Sequence, residues 1–122
     1  MKQYNVGIIG ATGMVGQRFA LLLAEHPWFS VTALVASARS AGKTYEELME
    51  NRWQLDTPCP ERLKGMTVLD AVAQQDEIVA AVDFVFCAVD MPKADIRALE
   101  ESYARAECPV IDRKSTRLNS SH

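Results

Sequence analysis

Tyr4-Asn5-Val6-Gly7-Ile8-Ile9-Gly10-Ala11-Thr12-Gly13-Met14-Val15-Gly16 decides how this 122-residue chain folds. Its first part, Val6-Gly7-Ile8-Ile9, is short, apolar and closed by Gly10, which is the pattern of a buried parallel strand. From Met14 the hydrophobic period turns helical. Val15, Phe19, Leu22 and Leu23 share one face, and Gln17, Arg18 and Glu25 lie off it. A strand that turns into a helix through glycines gathers unpaired backbone N–H groups and the positive end of a helix dipole at one point. That point suits a phosphate.

Each glycine has its own expected role. Gly10 takes the tight turn, Gly13 lets a pyrophosphate approach with no Cβ in the way, and Gly16 lets the helix pack close to the sheet. Thr12 adds a hydroxyl donor beside the same N–H groups. The spacing is G-x-x-G-x-x-G, whereas the commonest dinucleotide fingerprint is G-x-G-x-x-G. The weight therefore falls on context, a strand before and an amphipathic helix after. The competing reading is a glycine-rich turn that holds no ligand.

Val31-Thr32-Ala33-Leu34-Val35-Ala36 reads as a second buried strand, and the residues after it bear on the cofactor. NAD-binding folds place an Asp or Glu at the end of this strand to accept from the ribose hydroxyls. Here Ala36-Ser37-Ala38-Arg39-Ser40-Ala41-Gly42-Lys43 contains no acid. Arg39 offers a fork of donors, Ser37 and Ser40 offer hydroxyls, and Lys43 a point charge. Those groups suit a 2′-phosphate and gain little from a bare ribose. A solvated polar loop is the alternative.

Further along, the first helix is expected to end near His26, ahead of Pro27, with His26 a helix-terminal residue rather than a ligand. Trp28-Phe29 are expected to cover the edge of the core. Tyr45 to Arg52 has helical periodicity, and Trp53 to Gly65 is a proline-bearing excursion holding Cys59. Met66 to Leu69 is expected as a short strand, Ala71 to Ala80 as a weak helix and Ala81 to Val89 as a core strand. The end of that strand, Cys87-Ala88-Val89-Asp90, should face the same crevice as the glycine turn. Pro92 opens a helix from Lys93 to Arg105, and Pro109-Val110-Ile111 begins another strand. The order predicts an α/β fold, a Rossmann-like, doubly wound, mostly parallel sheet with right-handed crossovers.

Composition sets outer limits. Hydrophobic content of 48% and charged content of 24% are those of a soluble globular domain. A net charge of −3 offers no basic surface for nucleic acid or anionic membrane. No apolar run approaches a membrane span, Met1-Lys2-Gln3-Tyr4 leads into a strand rather than a signal core, and the cytoplasm is the expected location. Three cysteines without a C-x-x-C spacing argue against a disulfide framework or a zinc site. Residues 113–122 carry three of the 13 basic residues and no acid, so residues 1–112 carry a net −6. That tail has one large apolar residue, Leu118, and no period. A domain over residues 1–111 and a disordered tail over 112–122 are therefore expected.

These residues carry a resemblance. Gly10-Ala11-Thr12-Gly13-Met14-Val15-Gly16-Gln17-Arg18-Phe19, His26-Pro27-Trp28-Phe29 and Ala36-Ser37-Ala38-Arg39-Ser40-Ala41-Gly42-Lys43 resemble the N-terminal half-domain of aspartate-semialdehyde dehydrogenase. Leu55-Asp56-Thr57-Pro58 and Asp83-Phe84-Val85-Phe86-Cys87-Ala88 extend the likeness toward the archaeal and fungal-type branch, over residues 4–111. The resemblance implies NADP as cofactor and reductive dephosphorylation of β-aspartyl phosphate to the semialdehyde, a step of amino-acid biosynthesis. It implies that Gly10, Thr12, Gly13, Met14 and Val15 line the pyrophosphate and that Ser37, Arg39 and Ser40 hold the 2′-phosphate. Cys87 and Ala88 would then lie near the adenosine or ribose. It also implies a small-molecule substrate and a homo-oligomeric parent joined through a domain outside this chain.

The departures are equally definite. After Pro109-Val110-Ile111 the family continues with a Ser/Asn-rich turn ending in His-Arg, whereas this chain reads Asp112-Arg113-Lys114-Ser115-Thr116. The tail thus looks foreign to the family, and no substrate-binding arginine is carried onto Arg113 or Arg117. The family's nucleophilic cysteine and catalytic histidine belong to the following domain, so no catalytic and no metal-binding residue is assigned. The chain alone is expected to be inactive. N-acetyl-γ-glutamyl-phosphate reductase and malonyl-CoA reductase are neighbouring families, and a dinucleotide-binding module without chemistry is the reading from another class.

Overall fold

Val6 and Ile8 of β1 (Tyr4–Ile9) enter one hydrophobic cluster and Ile9 enters another, so the strand is covered on both faces. This is the burial that its unbroken apolar run calls for. The computed structural model of the protein describes residues 4–36, 39–50, 53, 61–88, 93–112 and 118–119. After β1 come α1 (Met14–Ala24), β2 (Phe29–Ala36), α2 (Tyr45–Met49), α3 (Glu61–Lys64) and β3 (Leu69–Asp70). They are followed by α4 (Gln75–Ala81), β4 (Phe84–Cys87), α5 (Lys93–Arg105), β5 (Val110–Asp112) and β6 (Leu118–Asn119).

The six strands form one sheet in the order β3-β2-β1-β4-β5-β6. β1 pairs in parallel with β2 on one side and β4 on the other, and β2–β3 and β4–β5 are parallel as well. The chain thus winds outward from β1 to β3, crosses back, and winds outward again from β4. The point of reversal lies between β1 and β4, at the carboxyl ends of the strands. Ala20 and Leu23 of α1, Tyr45 and Met49 of α2 and Leu63 of α3 cover one face of the sheet. Ile78 of α4 and Tyr103 of α5 cover the other. This is the expected Rossmann-like α/β arrangement.

Several local expectations give way, each for a visible reason. In α1 the inward residues are Gly16, Gln17, Ala20 and Leu23, whereas Leu22 is 69% exposed. The helix presents its Gly16 side to the turn below it, and that rotation carries Leu22 out and Gln17 in. The strand expected over Met66 to Leu69 is displaced. Residues 66–68 pair instead with the segment before α2, where Tyr45 N–H donates to the Met66 carbonyl at 2.9 Å and Thr44 bridges antiparallel to Thr67. The helix expected from Ala71 begins only at Gln75, because the Asp70 carboxylate accepts from the N–H groups of Val72 (2.8 Å) and Ala73 (3.1 Å) and holds a turn there. The strand expected from Ala81 begins at Phe84, since Ala81 still belongs to α4. Within the Trp53–Gly65 excursion, α3 buries Leu63 completely.

The tail also departs from expectation. Asp112 closes β5, and Leu118–Asn119 pairs antiparallel with it, Leu118 opposite Ile111 and Asn119 opposite Val110. An open sheet edge presents unpaired N–H and C=O groups, which a short added strand satisfies. Pro92, Cys59 and the Leu55–Pro58 motif lie outside the described residues.

Candidate functional site

β1 ends at Ile9, and Gly10 reverses the chain with φ 85°, a conformation that a side chain disfavours. The N–H groups of Gly10 and Ala11 both donate to the Val35 carbonyl, at 2.8 and 3.1 Å, and so tie the turn to the end of β2. A Cβ on Gly16 would overlap the Gly10 carbonyl oxygen, so only glycine lets α1 descend onto the turn. Gln17, buried beneath, donates from Nε2 to the Thr12 carbonyl at 3.2 Å. On the other flank, Ile9 pairs with Cys87, and Ala88 N–H donates to the Ile9 carbonyl at 2.8 Å. The glycine turn, the end of β2 and the Cys87-Ala88 end of β4 therefore meet at the reversal point of the sheet.

The start of α1 is open. Gly13 is its N-cap, with no side chain capping it and no acid in the first turn. Among the described residues, none accepts a hydrogen bond from the N–H of Thr12, Met14 or Val15. Gly13 itself is in ordinary extended geometry (φ −81°, ψ 171°), and a Cβ there would find only the Gly10 carbonyl oxygen, at 3.7 Å. The fold thus requires glycine at 10 and 16 but leaves the space over Gly13 clear. An uncapped helix start with free donors and an uncompensated dipole attracts an anion.

Of the residues expected around a 2′-phosphate, Arg39 is exposed and, among the described residues, has no hydrogen-bond or ion-pair partner. Ser40 is buried at 7% exposure, which turns it toward the protein more than the loop reading anticipates. Ser37 lies outside the described residues. The next few residues are braced: Gly42 N–H donates to the Val68 carbonyl (2.9 Å) and Val68 N–H to the Lys43 carbonyl (2.8 Å). They do not form a free loop.

The family model described as semialdehyde dehydrogenase, NAD binding domain, matches residues 5–120. The chain belongs to this family. It is 44% identical over 100 residues to the aspartate-semialdehyde dehydrogenase of Methanothermobacter thermautotrophicus, covering 82% of this chain and 27% of that protein. It is 41% identical over 113 residues to that of Archaeoglobus fulgidus, covering 93% of this chain and 31% of the relative. The structure superposes on the Candida albicans aspartate-semialdehyde dehydrogenase solved with NADP, with a TM-score of 0.78 at 36% identity. That superposition covers 90% of this chain and 29% of the other. The chain therefore spans less than a third of the length of the relatives it matches.

In this semialdehyde dehydrogenase NAD-binding domain the family match runs past Ile111 and takes in β6. Cys87 and Cys108 are buried in the core. Burial first, and then the Asp83 carboxylate, push the Cys108 thiol up to about 11, the reverse of what an activated nucleophile needs. Among the described residues no group of three His, Cys, Asp or Glu could hold a metal, and no helix is long and apolar enough to cross a membrane. Two residues at the site escape a sequence reading. Gln17 looks like a surface polar residue by period, and Tyr45 looks like ordinary helix packing. Yet Tyr45 is fully buried, and its hydroxyl donates to the Ala11 carbonyl at 2.8 Å.

Proposed function

We propose that this chain is the NADP-binding part of an aspartate-semialdehyde dehydrogenase, which forms the semialdehyde from β-aspartyl phosphate. The observation that carries the reading is the open start of α1, where the N–H groups of Thr12, Met14 and Val15 have no acceptor among the described residues and a Cβ on Gly13 would meet only the Gly10 carbonyl oxygen. These groups would hold the pyrophosphate, with Gly10 shaping the turn beneath. Arg39, exposed after β2 and without an acid beside it in sequence, would hold the 2′-phosphate, with Ser37 and Ser40 adding hydroxyls. Cys87 and Ala88, alongside Ile9, would flank the ribose or adenosine. NADP, when bound, supplies the nicotinamide that carries the hydride. The chain's own contribution is to bind and orient it, and no residue here is assigned to acyl chemistry.

Two nucleotides titrated against two proteins test this. A 2′-phosphate gains charge-assisted hydrogen bonds from Arg39 worth roughly 1.5–3 kcal/mol, a preference of about tenfold to a hundredfold for NADP over NAD. Arg39→Ala should weaken NADP binding by that factor and leave NAD nearly unchanged, and Arg39→Lys should recover only part. Equal losses for both nucleotides would mean that Arg39 supports the loop and does not read the phosphate. Acylphosphate-dependent oxidation of NADPH by the purified chain would contradict the assignment of all chemistry to residues outside it.

A further inference from the structure

Tyr45 leads α2, and the backbone around it is fixed by its own pairing with residues 66–68. The Thr44 hydroxyl caps α2 by accepting from Glu47 N–H at 3.3 Å. From this braced position the Tyr45 hydroxyl reaches across to the glycine turn and donates to the Ala11 carbonyl. That carbonyl belongs to the same peptide unit as Thr12 N–H. In a planar trans peptide the C=O and N–H point in opposite directions. Fixing the Ala11 carbonyl inward therefore turns the Thr12 N–H outward, toward the open start of α1. The hydrogen bond also polarises the peptide and makes that N–H a stronger donor.

The molecule holds a second copy of this device with its anion in place. Tyr103, likewise fully buried, donates from its hydroxyl to the Ala71 carbonyl at 2.8 Å. The opposite end of that peptide, Val72 N–H, donates to the Asp70 carboxylate at 2.8 Å. A tyrosine-held alanine carbonyl on one side and an anion on the N–H of the next residue is thus a complete unit after β3. After β1 the same unit has no acid in the first turn of the helix that follows and no side chain capping it.

We propose that Tyr45 is a positioning residue for the bound nucleotide: its hydroxyl aims the Thr12 N–H at a phosphate oxygen. This rests on the proposed dinucleotide reading, and the test separates the two. The 122-residue chain, its Tyr45→Phe variant and its Tyr103→Phe variant are titrated with NADP, following binding and the amide resonances of residues 10–15. Wild type should bind, and Tyr45→Phe should bind about fivefold more weakly with the Thr12 amide shift reduced and those of Met14 and Val15 retained. Tyr103→Phe should lose stability and keep wild-type affinity. If Tyr45→Phe loses stability but keeps both the affinity and the Thr12 shift, the residue is only structural and the inference falls. If wild type binds neither NADP nor NAD, the dinucleotide reading itself falls. Should Tyr45→Phe fail to fold, the Tyr45 hydroxyl proton of wild type gives the answer. Its exchange should slow when NADP binds, and an unchanged rate would overturn the proposal.

Discussion

The chain passes from strand to helix after β1 and again after β3, at the same end of one mostly parallel sheet, and it closes the two turns differently. After β3 the chain supplies its own anion: Asp70 Oδ1 accepts from Val72 and Ala73, and Gln74 Oε1 accepts from Asp70 N–H. Asp76 and Glu77 then stand in the first turn of α4. After β1 there is no acid in the first turn of α1, no side-chain cap, and a glycine where a cap residue would stand. Both turns are held from below by a buried tyrosine hydroxyl. Neither α1 nor α4 has a side-chain cap, so the difference lies in the acids. The turn after β3 has Asp70 on its N–H groups and Asp76 and Glu77 in the helix that follows, and the turn after β1 has none, which is the contrast the proposed dinucleotide reading uses.

Giving the first turn the anion of the second is the strongest way to break this contrast. Gly13→Asp would place a carboxylate at an N-cap whose φ and ψ already suit it. It should raise the stability of the free chain by about 0.5 kcal/mol. NADP affinity should fall by about a hundredfold or more, as the carboxylate takes the amides and repels phosphate. Calorimetric titration beside a urea melt checks both signs at once. Gly16→Ala comes next: the added methyl overlaps the Gly10 carbonyl and should cost about 2–3 kcal/mol in denaturant unfolding. An unchanged midpoint would mean that α1 does not rest on the turn. Asp70→Ala removes the internal anion of the second turn and should cost about 1 kcal/mol while leaving NADP affinity untouched. A loss of affinity there would show that the two turns are not independent.

The smallest effect is set by pH, on the face of the sheet away from Tyr45. Burial pushes the Cys108 thiol up from its ordinary 9.0 to about 11 in the fold, where it packs in the same cluster as Tyr103. The unfolded chain therefore binds fewer protons between these values, and stability falls as pH rises through that window. Cys108→Ala should flatten the slope between pH 9 and 11 in chemical denaturation. A slope unchanged by the substitution would assign it to other groups, Tyr103 first among them, whose phenol burial raises further.

The sequence makes the parts of this contrast legible to different degrees. β1, α1 and α5 follow from unbroken apolar runs and a clear helical period, and the structure returns α5 over the same residues, Lys93–Arg105. The glycine turn is legible because Gly10 and Gly16 each answer a steric demand, a positive φ at one and a close backbone approach at the other. The second turn is not, because Ala71 to Ala80 has the composition of a helix, and only the Asp70 side chain reveals that its first residues are held back. Helical period also assigns the wrong face to Gln17 and Leu22, since the close approach at Gly16 outweighs the apolar stripe in setting the rotation of α1. Tyr45 is a tertiary fact. Its hydroxyl bond spans 34 residues of sequence, and nothing local announces it.

The central claim is that the turn after β1 is completed by the phosphates of a dinucleotide, with NADP preferred. Two-dimensional amide spectra of the ¹⁵N-labelled 122-residue chain, titrated separately with NADP and NAD, test it most directly. Saturable shifts should centre on Thr12, Met14 and Val15, with none at Val72 and Ala73. Half-saturation should come at a concentration of NADP about tenfold or more below that of NAD. Saturable shifts confined to other residues, or no shifts with either nucleotide, would contradict it.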